Sequence, residues 1–137
     1  VSGKRIIVHS LAHARAALAA ARALDVPVTL ASARGAGGYG GPLWFKALID
    51  AARADFPEVT ATAVLDCGSE PGTTLAALRE GFKRVRFTGS DKPLGALMEI
   101  ARQSGAEIET GEPPEALDLL TERDPETAAR RYLAATK

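Results

Sequence analysis

Short β-branched runs alternate along this chain with longer stretches whose apolar residues recur at helical spacing, and this alternation constrains the fold more than any other feature. Ile6-Ile7-Val8 opens the pattern. Ser10 follows as a helix N-cap, and Leu11, Ala14, Leu18, Ala21 and Leu24 fall on one helical face. Asp25-Val26-Pro27 breaks that helix, and residues 28–32 read as a second strand. A Gly-rich stretch at 35–41 leads to a helix entered at Pro42, with Leu43, Lys46, Ala47, Asp50 and Ala51 setting its period. A third strand is expected within 59–66. A helix then runs from Pro71 through Leu75 and Leu78 to a stop at Gly81. Residues 84–88 make a fourth strand, 94–103 a fourth helix carrying Leu97 and Ile100, and 106–110 a fifth strand. Residues 112–137 read as a C-terminal helical extension divided near Asp124-Pro125.

Strands joined by helix-length crossovers run parallel, with right-handed connections. The expected fold class is therefore α/β, a five-stranded parallel sheet in a single domain spanning 1–137. Hydrophobic residues at 46% and charged residues at 25% are enough to build its core. Seventeen Lys and Arg balance seventeen Asp and Glu, which excludes a polybasic binder of nucleic acid or of membrane surfaces. Cys67 is the only cysteine, so no intramolecular disulfide can form and a cytoplasmic location is the default expectation. The apolar run at 6–8 ends at His9 and Ser10, far short of a membrane span, and no export signal is expected.

Parallel strands place all their C-terminal ends on one rim, where ligands of α/β proteins usually bind. The rim residues are His9 and Ser10, Ser32 to Arg34, Asp66 and Cys67, Thr88 to Asp91, and Glu109 to Glu112. His9 and His13 are four residues apart and can share a face, so a metal site drawn from His9, His13, Asp66, Cys67 and Glu109 is conceivable. The plainer reading makes Cys67 a small core residue and the histidines ordinary polar positions. Gly35-Ala36-Gly37-Gly38-Tyr39-Gly40 fits G-x-G-x-x-G but lacks an acidic partner at the next strand end. It reads as a flexible rim loop bordering a pocket rather than a dinucleotide fingerprint. Arg34 and Lys92 are either attractors of an anionic small molecule or solvated surface charges. Ser10, Ser32 and Ser90 lack the His and Asp partners of a hydrolase triad. Trp44 and Phe45 are expected on the sheet or at a subunit contact.

The segment Leu65-Asp66-Cys67-Gly68, followed after a helix by Gly81-Phe82 and by Thr88-Gly89-Ser90 at a strand end, resembles the class II, metal-dependent fructose-bisphosphate and tagatose-bisphosphate aldolases. Their third strand ends Leu-Asp-His-Gly and their fourth Asp-Gly-Ser. The likeness extends back through residues 11–28, Gly35-Ala36 and Tyr39 to Gly41, and forward to Gly105-Ala106-Glu107-Ile108-Glu109, covering about 6–111. It implies the first half of a (β/α)8 barrel. It also implies that Asp66 matches the acid/base aspartate and Cys67 one of three zinc-binding histidines. Positions filled by Asn and Ser in the family's first two loops hold His9 and Ala33 here, and Gly111 stands for the second fifth-strand glutamate.

A half barrel leaves two open sheet edges. The C-terminal segment, through Ala116, Leu117, Leu120, Tyr132 and Leu133, or a second copy in a homo-oligomer, is expected to cover them. A flavodoxin-like open, doubly wound sheet of order 2-1-3-4-5 is the alternative. The resulting expectation is a divergent aldolase-like protein without intact zinc aldolase machinery, a lyase or isomerase if active. Asp66 is its catalytic candidate, and His9, Ser32, Arg34, Gly35, Ser90 and Glu109 are its substrate-binding candidates. Cys67, His9 and Glu109 are the candidates for a divalent metal such as zinc. The competing class is a noncatalytic homo-oligomeric interaction or regulatory protein.

Overall fold

The computed structural model describes residues 3–135. Its elements are β1 (Lys4–Ile7), α1 (Leu11–Leu24), β2 (Val28–Ala31), α2 (Ala36–Tyr39), α3 (Pro42–Ala54) and β3 (Ala61–Asp66). After these come α4 (Pro71–Arg79), β4 (Arg84–Arg86), α5 (Asp91–Gln103), β5 (Glu107–Glu109), β6 (Ala116–Asp118) and α6 (Pro125–Ala134). The fold is α/β, with hydrogen-bonded strand order β5-β4-β3-β2-β1-β6. Strands one to five are neighbours in chain order, as successive strands of a barrel are, and the 2-1-3-4-5 order of the alternative is absent. The sheet has six strands rather than five.

The chain forms two compact units, divided within α3 and β3. The first holds the described residues up to Ala31, together with Ala47–Thr62 and the residues from Pro114 onward. Here β1 pairs in parallel with β2 on one side and β6 on the other, with Ile7 opposite Ala31 and Asp118. Residues 116–118 were expected to be helical. They lack β-branched side chains, and what makes them a strand is the open edge of β1, whose backbone groups need partners. α6 packs on α1, and the small side chains of Ala14, Ala17, Ala21 and Ala129 let the two helices approach closely. Lys4 Nζ donates to the carbonyl of Tyr132 at 2.9 Å, tying β1 to α6. Ser10 caps α1 as the sequence implies, its Oγ accepting from the His13 N–H at 3.1 Å. Leu24 lies at the exposed margin of that helix.

The second unit holds Ser32–Lys46 and Ala63–Pro113. Its strands β3, β4 and β5 are parallel, and the register sets Asp66 beside Arg86 and Arg86 beside Glu109. Side-chain alternation sends Arg84 and Arg86 to one face of β4 and buries Val85 on the other. The stretch read as a flexible loop contains the short helix α2, whose Gly37 is buried. In α3, whose residues are shared between the two units, the buried positions are Phe45, Ile49 and Ala52, not the face of Leu43, Ala47 and Ala51 that the spacing suggests. Phe45, the bulkiest of these, decides the rotation by stacking on Phe82 with ring centroids 6.1 Å apart. No helix of the described residues is long and apolar enough to cross a membrane.

Candidate functional site

Asp66, Arg86 and Glu109 are the last residues of β3, β4 and β5, so the register lines up a carboxylate, a guanidinium and a carboxylate at one level of the strand ends. Arg86 is buried, 4% exposed. Its Nη1 lies 3.4 Å from Glu109 Oε1, its Nη2 donates to the Gly111 carbonyl at 2.6 Å, and its Nε faces Asp66 Oδ2 at 3.5 Å without a hydrogen bond. A buried cation is tolerated only when it is paired and hydrogen-bonded, and the two carboxylates supply the pairing. Arg84, further down β4, pairs with Glu107 at 2.9 Å and with Glu109 at 3.7 Å. A strand over 84–88 puts Arg86 at its middle, whereas β4 ends at Arg86 and so brings it to the rim. The alternation Arg84-Val85-Arg86 opposite Glu107-Ile108-Glu109 was the signal that could have exposed it.

Asp66 holds two loops together. Its Oδ1 accepts from the N–H groups of Gly35, at 3.0 Å, and Gly68, at 2.9 Å. Both glycines have positive φ, +70° and +58°, the left-handed conformation in which a side chain is strained. A Cβ on Gly68 would lie 3.6 Å from the Gly35 Cα, so the loops meet backbone to backbone. Ser32 completes the clamp: its Oγ accepts from the Asp66 N–H at 2.9 Å and donates to the Ala33 carbonyl at 3.1 Å. Arg34 and Ser90 are exposed on strand-end loops of this unit, and Ser90 stands at the N-cap of α5 with no side-chain cap bond.

The structure thus brings Asp66, Ser32, Gly35 and Glu109 together around Arg86. Cys67 does not join them as a metal ligand. It is 1% exposed, its Sγ lies 3.8 Å from the Leu65 carbonyl, and burial pushes its thiol up to about 11. A zinc ligand must reach the metal, and this side chain is buried in the core on the strand face opposite Asp66, so it does not fit the metal that its position implies. The expected set of Cys67, His9 and Glu109 is not assembled, and among the described residues no three His, Cys, Asp or Glu side chains gather into a metal-binding group. The physical reason for Cys67 is strand parity: Asp66 stays in the charged ladder while the next side chain turns to the other face, into the core.

His9 belongs to the first unit. Its Nε2 meets Asp118 Oδ1 at 2.6 Å, and its backbone N–H donates to His13 Nδ1 at 3.1 Å. The two rings are edge-on, 5.7 Å apart. Burial, followed by the neighbouring His9, holds the His13 pKa below its ordinary value. Burial alone would raise the Asp118 carboxyl, but hydrogen bonds from the Leu120 N–H and from His9, with the charge of the neighbouring histidines, hold it below its ordinary value. Sequence reasoning missed Asp118 because it assigned that segment to a helix.

Sequential parallel strands separated by helices, with charged residues aligned at their C-terminal ends, define a barrel-type α/β protein. Residues 4–109 match the model of the class II fructose-bisphosphate aldolases, and the chain belongs to that family. It is 33% identical over 85 residues to fructose-bisphosphate aldolase 2 of Cereibacter sphaeroides, covering 62% of this chain and 24% of that protein. It is 34% identical over 88 residues to the fructose-bisphosphate aldolase of Xanthobacter flavus, covering 64% of this chain and 25% of that one. For the enzyme of Nostoc sp. the identity is 36% over 83 residues, with 61% and 23% covered. The chain therefore spans about a quarter of the length of these relatives. The crystal structure of a probable tagatose 6 phosphate kinase from Sinorhizobium meliloti 1021 shares the fold, with a TM-score of 0.62 over 96% of this chain and 45% of that one, at 16% identity.

Proposed function

We propose that this chain is a divergent class II aldolase-family protein that binds a phosphorylated small molecule at the strand-end rim of its second unit, without the zinc-dependent aldol cleavage of its relatives. The observation that carries this reading is the engagement of the Asp66 carboxylate. One oxygen holds the Gly35 and Gly68 loops and the other faces Arg86 at 3.5 Å, which supports a positioning role for Asp66. The buried Cys67 thiol at the zinc-histidine position supports the same conclusion. The exposed Arg34 guanidinium, next in sequence to the pinned Gly35, is suited to a phosphate. The names of the relatives and of the structural neighbour point to sugar phosphates as the ligand class.

The test is a calorimetric titration with fructose 1,6-bisphosphate, inorganic phosphate serving as the comparison ligand. Binding of the sugar phosphate that weakens at least tenfold in Arg34→Ala, with no zinc-dependent cleavage, is the expected result. Absence of binding, or zinc-dependent turnover, refutes it. A second reading, self-association, is favoured by one observation: Tyr39, Leu43 and Trp44, neighbours in sequence within this unit, are 91%, 64% and 40% exposed. Light scattering on the wild type and on Leu43→Ser tests it, a dimer that dissociates in the variant being the outcome in its favour.

A further inference from the structure

The pairing of β6 with β1 places Asp118 opposite Ile7, and His9 is the next residue of β1's chain on the same side. The contact that results, Nε2 to Oδ1 at 2.6 Å, fixes the chemistry of the ring. An ionised carboxylate only accepts, so Nε2 carries the proton and the lone pair of a neutral ring lies on Nδ1. Asp118 is itself held, its Oδ1 also accepting from the Leu120 N–H at 2.9 Å. On the other side His13 receives the His9 backbone N–H on its Nδ1, which fixes the position of His9 from a second direction. Both members of the pair remain open to solvent, with side chains 21% and 49% exposed. Asp118 lies beyond the residues that match the family.

We infer that His9, oriented by Asp118, is an acid–base group that exchanges a proton with a hydroxyl-bearing ligand, an alcohol or water. The hydroxyl proton passes to Nδ1. The resulting imidazolium keeps its Nε2–H on the Asp118 carboxylate, which offsets the new positive charge. Return of the proton from Nδ1 to the oxygen restores the neutral ring, and no other reactant is required. His13 Nδ1 is occupied by the His9 backbone N–H, and burial holds its pKa below its ordinary value. This role is independent of the rim around Asp66.

The lone pair that accepts a proton also attacks an activated ester, so p-nitrophenyl acetate is the probe. His9→Gln retains His13 as an internal comparison, and Asp118→Asn retains a side-chain oxygen of the same reach. The expected result is a loss of p-nitrophenolate release of about tenfold in the first and at least about threefold in the second, small fractions of what an aligned acid–base group contributes to an enzymatic step. A loss smaller than threefold in either variant overturns the inference. Long-range 1H–15N spectra of the wild-type protein supply a readout that needs no variant: protonation of His9 at Nε2 is expected, and protonation at Nδ1 overturns the proposal.

Discussion

Replacing Arg86 by Met keeps most of the side chain's volume and removes its charge, leaving two carboxylates in the second unit without their buried cation. Asp66 is 13% exposed at its side chain and Glu109 17%, so solvent screens neither well. Removing one partner of a buried ion pair costs about 3–5 kcal/mol. The residual exposure, and the persistence of Arg84 at 3.7 Å from Glu109, argue for the lower end, about 3 kcal/mol. The bond to the Gly111 carbonyl disappears as well. For a chain of this size such a loss lowers the melting temperature by roughly 10 °C. Urea denaturation followed by circular dichroism reads the change directly. A double-mutant cycle with Asp66→Asn should return a coupling of about 1–2 kcal/mol, because the second substitution removes one of the charges the first leaves stranded. A single-variant loss below about 1 kcal/mol, or additivity within about 0.3 kcal/mol, refutes the claim that this triplet organises the strand ends.

Further outcomes follow from the Cys67 thiol and from the glycines of α2. The Cys67 thiol is raised by burial from 9.0 to about 11, so its stabilising effect is complete below 9.0 and is lost as pH rises toward about 11. That interval corresponds to about 3 kcal/mol, visible as an alkaline decline in denaturation midpoint that Cys67→Ala lacks, while an aromatic disulfide reagent at pH 8 should label the thiol only after unfolding. Gly37→Ala should cost about 1–3 kcal/mol in thermal melts, since the added Cβ would lie 3.1 Å from both the Asp66 carbonyl oxygen and Thr73 Cγ2; at Gly38, where nothing lies within 4 Å, the same change should be neutral or stabilising.

The local elements were legible in the amino-acid order because they depend on local chemistry. The Ser10 cap, the Pro42 and Pro71 helix starts and the left-handed stops at Gly81 and Gly105 act within a few residues of themselves. The family likeness was legible for a related reason, since Leu65-Asp66-Cys67-Gly68 and the strands around it sit in one contiguous stretch. What escaped were the features that need two distant segments side by side. Phe45 rather than Leu43 faces inward because Phe82 waits for it, thirty-odd residues away. Residues 116–118 carry no strand signal of their own, and an unpaired edge of β1 makes them one.

Order along the chain is enough for the alternation of strands and helices, the parallel sense that follows from it, and the placing of Asp66 and Glu109 at strand ends. Which charges meet is settled in three dimensions. Register across β3, β4 and β5 turns Asp66, Arg86 and Glu109 into one network, and the pairing of β1 with β6 joins His9 to Asp118. Periodicity is a property of neighbours along the chain, whereas register is fixed by hydrogen bonds between segments whose separation in sequence says nothing about their distance in space.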